Sequence, residues 1–225
     1  MAMLDDRNIT SAPGLEIIRP VGRREVTHAI HDIDGTHSRI RQWPPVMSRC
    51  LNYAMTCGLG EDFDSDANLR ELIGQVGVEP LAETDRFCVE SAGLSAITQM
   101  EWAIRRAAQE GNLPPTAGIE LSADQHQANA AIIQRIWDGQ ERFDDIERDV
   151  DLSLLDAFIA ERAGRLFRLY ERILNQASRD RNTAAAWRDP EPWRFPGSMA
   201  FLERLRAVGC HNYFVTGAVL YEEGG

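Results

Sequence analysis

Asp32 and Asp34, one residue apart and followed by Gly35-Thr36, are the side chains best placed for chemistry. They close the stretch His28-Ala29-Ile30-His31-Asp32-Ile33-Asp34-Gly35-Thr36. The run before them, residues 26–30, is β-compatible, and in an extended chain side chains at i and i+2 point to one side. Both carboxylates can then face one small volume at the strand's carboxyl end, where an α/β sheet binds its ligand. Gly35 can take the positive φ that a sharp exit needs. Two carboxylates there can hold a divalent cation through oxygen, or divide into a nucleophile and a general acid–base. His28 and His31 flank the strand on opposite faces, which favours packing or support of a neighbour over a shared zinc ion. His37, just past the turn, is a candidate substrate contact. Arg39 and Arg41 can grip a phosphate or carboxylate bidentately, or pair with surface acids.

A strand followed by Asp-x-Asp-Gly-Thr resembles motif one of the haloacid dehalogenase-like (HAD) superfamily. Far downstream, Asn212-Tyr213-Phe214-Val215-Thr216-Gly217-Ala218 resembles its motif two, a strand ending in Ser or Thr. Phe195-Pro196-Gly197, followed by an amphipathic segment up to Gly209, is similar to the family's approach to that motif. The resemblance implies a Rossmannoid parallel-sheet core, and a phosphatase or phosphotransferase working through an aspartyl-phosphate. It casts Asp32 as nucleophile and Asp34 as the acid–base, with Mg2+ held by both. It places Thr216, Gly217, Gly35, Thr36, His37 and Arg39 around the phosphoryl group. The second Asp disfavours haloacid chemistry, which needs no proton donor to the leaving group. The lack of any lysine disfavours a Schiff-base enzyme. The family's motif-three lysine and its acidic motif four follow motif two. Here the chain ends at Gly225, so the resemblance implies a fragment of a longer protein.

The site would be carried by residues 26–32 and 211–216, which read as neighbouring strands of one parallel sheet. Between them the hydrophobic pattern is helical almost throughout. Residues 46–57 form one helix starting after Pro44-Pro45, and Asp66 caps a short helix over 69–76. A single long helix is expected over 83–110 with Gly93 as its soft point, worth about 1 kcal/mol against alanine. Ser122 caps a helix to about Trp137, and Asp151 or Ser153 caps another with an apolar stripe from Leu154 to Leu174. The acidic run Glu61, Asp62, Asp64, Asp66 lacks the glycine and closing Glu of a calcium loop. Residues 45–188 therefore read as a large helical cap inserted between the two motifs. Residues 1–44 and 189–225 read as a partial α/β core, with residues 15–19 as a short strand or arm.

The 225 residues are 44% hydrophobic, enough for a core plus an inserted domain. The formal net charge is −11, which argues against nucleic acid or an anionic membrane as partner. No apolar run approaches the roughly 20 residues of a membrane span, and no secretory signal is apparent. All 24 basic residues are arginine. The four cysteines form no CxxC pair and read as reduced thiols of a cytoplasmic protein. Two functions follow as expectations. One is a Mg2+-dependent HAD-like hydrolase acting on a small phosphorylated metabolite, with a homodimer left open. The alternative is a non-catalytic or truncated HAD-like domain that serves binding or structural interaction.

Overall fold

The structure, a computed structural model, describes residues 26–33, 35–39, 43–147 and 149–216. The chain is mixed α/β and mostly helical, with one two-stranded parallel sheet among the described residues. It divides into two compact units. One comprises Arg41–Ala184; the other comprises Met1–Ile40 with Ala185–Gly225.

The first unit is helical. α1 (Trp43–Cys57) takes Pro44 and Pro45 into its first turn, where their missing N–H groups would have had no helical partner. The helix therefore begins ahead of the prolines, whereas a start behind them was expected. α2 (Asp66–Gln75) is capped by Ser65, whose hydroxyl accepts from the Asn68 amide, and not by Asp66. The long helix expected over 83–110 is two. α3 (Ala82–Glu90) ends at Ser91, the chain passes through Gly93 at φ 112°, and α4 (Ala96–Gln109) starts afresh from a Ser95 cap. α5 (Ala123–Trp137) has a full capping box from Ser122 and Gln125, as its sequence suggests. A one-turn α6 (Asp144–Glu147) precedes α7 (Ser153–Arg188), where the Asp151 carboxylate accepts from the Ser153 amide. The boundary between the units falls inside the last turns of α7.

α1 packs on α3 and α4, and α4 on α5. Their shared core holds Met47, Leu51, Phe87, Trp102, Ile104, Ile132, Ile136, Leu166, Leu169 and Ile173, with almost no exposed surface. A second adhesive is ionic. α7 extends Arg162, Arg165 and Arg172 to Glu61, Asp64 and Asp66, so the acidic run is held by guanidinium groups.

The other unit contains β1 (His28–Asp32), a 3-10 turn at Glu191–Trp193, α8 (Ser198–Ala207) and β2 (His211–Val215). The strands pair in parallel, from His28 opposite His211 to Asp32 opposite Val215. Strands so paired need a long crossover, and residues 33–210 supply it. In-register residues share a face. Ala29, His31, Asn212 and Phe214 lie on one face. The Phe201 ring of α8 sits 6.0 Å from His31, and the Asn212 amide reaches the Leu202 carbonyl of α8. The opposite face carries His28, Ile30, Asp32, His211, Tyr213 and Val215, every one of them exposed. The expected arm at residues 15–19 lies outside the described residues.

Candidate active site

Asp32 is the last residue of β1, exposed, with Val215 as its register partner on β2. Thr216 is the next residue after that partner. Because the strands are parallel, Asp32 and Thr216 leave the sheet at the same end. Asp34 and Gly217 lie outside the described residues, as does Arg41.

The turn after Asp32 is tightly wound. Gly35 has φ 77°, in the left-handed region that glycine enters without a Cβ clash. The Ile33 carbonyl accepts from the amides of Thr36 (3.3 Å), His37 (2.9 Å) and Ser38 (2.9 Å), and the Gly35 amide donates to Ser38 at 2.9 Å. All four amides of residues 35–38 are thus engaged within the turn. The Thr36 hydroxyl donates to Asp32 Oδ2 at 3.3 Å, which orients the carboxylate and leaves Oδ1 for another partner.

His37 points inward. Its Nδ1 lies 2.6 Å from the Ser198 hydroxyl, and its ring meets those of His31 at 5.0 Å and Phe214 at 5.7 Å, both edge-on. His31, 9% exposed, bonds the Asn212 side chain at 2.9 Å. These two histidines cross-link the turn, α8 and β2. His28 stands on the other face against Tyr213 and His211, which is the opposite-face arrangement that its spacing from His31 implies. Arg39 is exposed. Its amide donates to the Trp193 carbonyl at 2.7 Å, and its guanidinium carbon lies 5.9 Å from the Phe195 ring centre. Arg39 and Arg194 border an open hollow of about 280 Å3 against Phe195, Gly197 and Met199.

The structure thus brings Asp32, Thr36 and the strand end before Thr216 to one edge, and turns His37 into the packing beneath. The role of Ser198 and Asn212 in fixing that edge is not evident from sequence. Asn212 lies inside the motif-two match, yet its partner is 181 residues away. Of the thiols in the helical unit, Cys50 and Cys88 are buried, which pushes the Cys88 thiol up to about 12 and raises that of Cys50 further, while Cys57 is exposed at the end of α1. Among the described residues no group of three His, Cys, Asp or Glu side chains could hold a metal ion. At this sheet edge the carboxylate among the described residues is that of Asp32, an exposed hard oxygen donor. That suits magnesium, which is commonly held by one or two carboxylates with water and substrate phosphate completing its shell.

No protein-family model, no curated protein and no solved structure matches the chain.

Proposed function

We propose that the chain is a HAD-like phosphoryl hydrolase acting on a small phosphorylated metabolite, with Asp32 as nucleophile. One observation supports this above the others: Asp32 and Thr216 leave neighbouring parallel strands at the same sheet end, in the order the two motif resemblances require. Asp32 Oδ1 attacks phosphorus while Thr36 holds Oδ2. The new O–P bond forms as the ester O–P bond breaks, and Asp34 gives its proton to the departing alkoxide. Asp34 then takes a proton from water, whose oxygen displaces Asp32 and releases inorganic phosphate. Thr216 donates its hydroxyl to a phosphoryl oxygen. The Asp32 carboxylate and the Asp34 backbone carbonyl would hold Mg2+, which would offset the charge of the phosphate dianion.

Hydrolysis of p-nitrophenyl phosphate with magnesium tests the reading. Asp32→Asn should lower the rate by roughly 10³-fold or more, and Thr216→Ala by roughly 10- to 100-fold, since preorganised groups of this kind supply a few kcal/mol each. Wild-type turnover in Asp32→Asn would end the assignment. A second reading, an interaction domain without catalysis, rests on the fully exposed face of the sheet. It gains if the wild-type chain shows no magnesium-dependent turnover on any phosphomonoester.

A further inference from the structure

A second cavity, of about 340 Å3, opens in the helical unit among α3, α4 and α5. Its walls include Trp102, Trp137, Arg86, Arg106, Glu83 and Gln134. The two tryptophans meet edge to face at 5.6 Å, and Trp102 is stacked on Phe87 at 3.8 Å. The indole of Trp137 is satisfied: its N–H donates to Glu90 at 2.6 Å, and the Arg86 guanidinium lies 5.4 Å from its ring centre. Trp102 differs. Its side chain is fully buried, and its Nε1–H has no acceptor. Arg106 Nε, in the same wall, is also buried without an acceptor, while the far end of that guanidinium bridges Glu83 and Glu110. A buried donor left unpaired is costly, and native structures rarely keep one without a reason. Here the two residues that carry them, Trp102 and Arg106, both line one cavity.

The charges around the cavity narrow what could supply the acceptor. Arg86 is already paired with Glu90, and Arg106 with Glu83 and Glu110. Two guanidinium groups facing three carboxylates leave no surplus positive charge for an anion. What remains is an aromatic wall and unpaired N–H donors. The geometry points to a binding site for a small, flat, uncharged ring that carries a carbonyl or amide oxygen. The ring would lie against Trp137, and its oxygen would accept from Trp102 Nε1–H and Arg106 Nε–H. Gln134 is exposed and Glu83 about half so, and Gln134 can swing aside to admit such a ring.

The test uses the 15N-labelled full chain, whose five indole N–H signals are assigned by Trp→Phe substitution. Nicotinamide serves as the neutral amide probe and nicotinate as its charged counterpart. Nicotinamide should move the Trp102 indole signal saturably. Nicotinate should bind at least about tenfold more weakly, because it would face carboxylates without a free cation. Trp102→Phe keeps the stack on Phe87 and removes the donor; it should weaken nicotinamide binding by about fivefold or more, the worth of one hydrogen bond. Gln134→Trp, an exposed position, should fill the cavity and abolish binding with the helical circular dichroism unchanged; it decides the matter if Trp102→Phe does not fold. A Trp102 signal that nicotinamide leaves unmoved overturns the proposal. So does equal binding of both probes, or undiminished binding in Gln134→Trp.

Discussion

Asp64 and Arg165 show how single residues hold the helical unit together. Arg165 donates to both Asp64 carboxylate oxygens, at 2.5 and 2.9 Å, and also reaches the Glu61 carbonyl. The Arg165 hydrogen bond to the Asp64 carboxylate holds its pKa below the usual range, outweighing the opposing effect of burial. Because that pKa is depressed on folding, the stabilisation is fully present above the unfolded carboxylate value near 4 and is lost as pH falls through the lower folded value. Arg165→Gln should therefore cost about 1–2 kcal/mol in urea unfolding at pH 7, a partly exposed charge-assisted pair being worth less than a buried one. The gap to wild type should shrink as pH falls below the unfolded carboxylate value near 4. An equal gap at pH 7 and pH 2.5 would mean that packing of Arg165 over the Phe63 ring, not the ion pair, carries the effect. The sequence shows the acidic run and its failure as a calcium loop. It does not show the partners, which stand 101 to 106 residues away on another element. The same limit applies to His37: its position after the turn is legible, but its direction is set by Ser198, 161 residues downstream.

At the scale of elements, helix content and cap positions were legible where the signal is local. The Ser122 capping box and the α7 stripe follow from a few adjacent residues. The break between α3 and α4 was hidden because both helices bury side chains in one core, so the apolar rhythm runs on through Ser91–Ser95. The sequence clue is Ser95 with Thr98 three residues on, its hydroxyl and amide both meeting the Ser95 hydroxyl. Two glycines at helix ends separate strain from crowding. Gly58, just after α1, has φ 65°, and a Cβ there would lie 1.7 Å from the Asn112 carbonyl oxygen. Gly93 has φ 112° with open space where its Cβ would go. Gly58→Ala should cost roughly 3 kcal/mol or more, combining a backbone clash with the left-handed φ. Gly93→Ala should cost only about 1–2 kcal/mol, from strain alone. Paired thermal melts check the order, and a smaller loss at Gly58 would show that the 112–113 backbone yields.

At the scale of the whole molecule, the hydrophobic core belongs to one unit. Every residue of the main cluster and of its partly buried margin lies between Trp43 and Ala177. A fragment of residues 43–177 should therefore fold by itself, with a single cooperative urea transition and little dye binding. A broad transition with strong dye binding would show that the unit needs the rest of the chain. The parallel pairing of the two strands was legible because each motif resemblance fixes a strand and its direction. The exposure of one sheet face among the described residues was not, since exposure depends on what packs above it. That face has a colloidal consequence. Parallel sheets are ordinarily covered on both sides, yet here Ile30 is 74% exposed beside Tyr213 and Val215. A net charge of −11 keeps such surfaces apart only over the screening length, which falls from about 10 Å at 0.1 M salt to about 3 Å at 1 M. Light scattering should show the average mass rising between 0.05 and 1 M sodium chloride, and Ile30→Arg should flatten that rise. A mass that stays constant across the series would mean that these side chains do not attract one another. With the rise, the protein dissolves best in dilute buffer, and its own like charge, not a buried surface, sets how concentrated a solution stays clear.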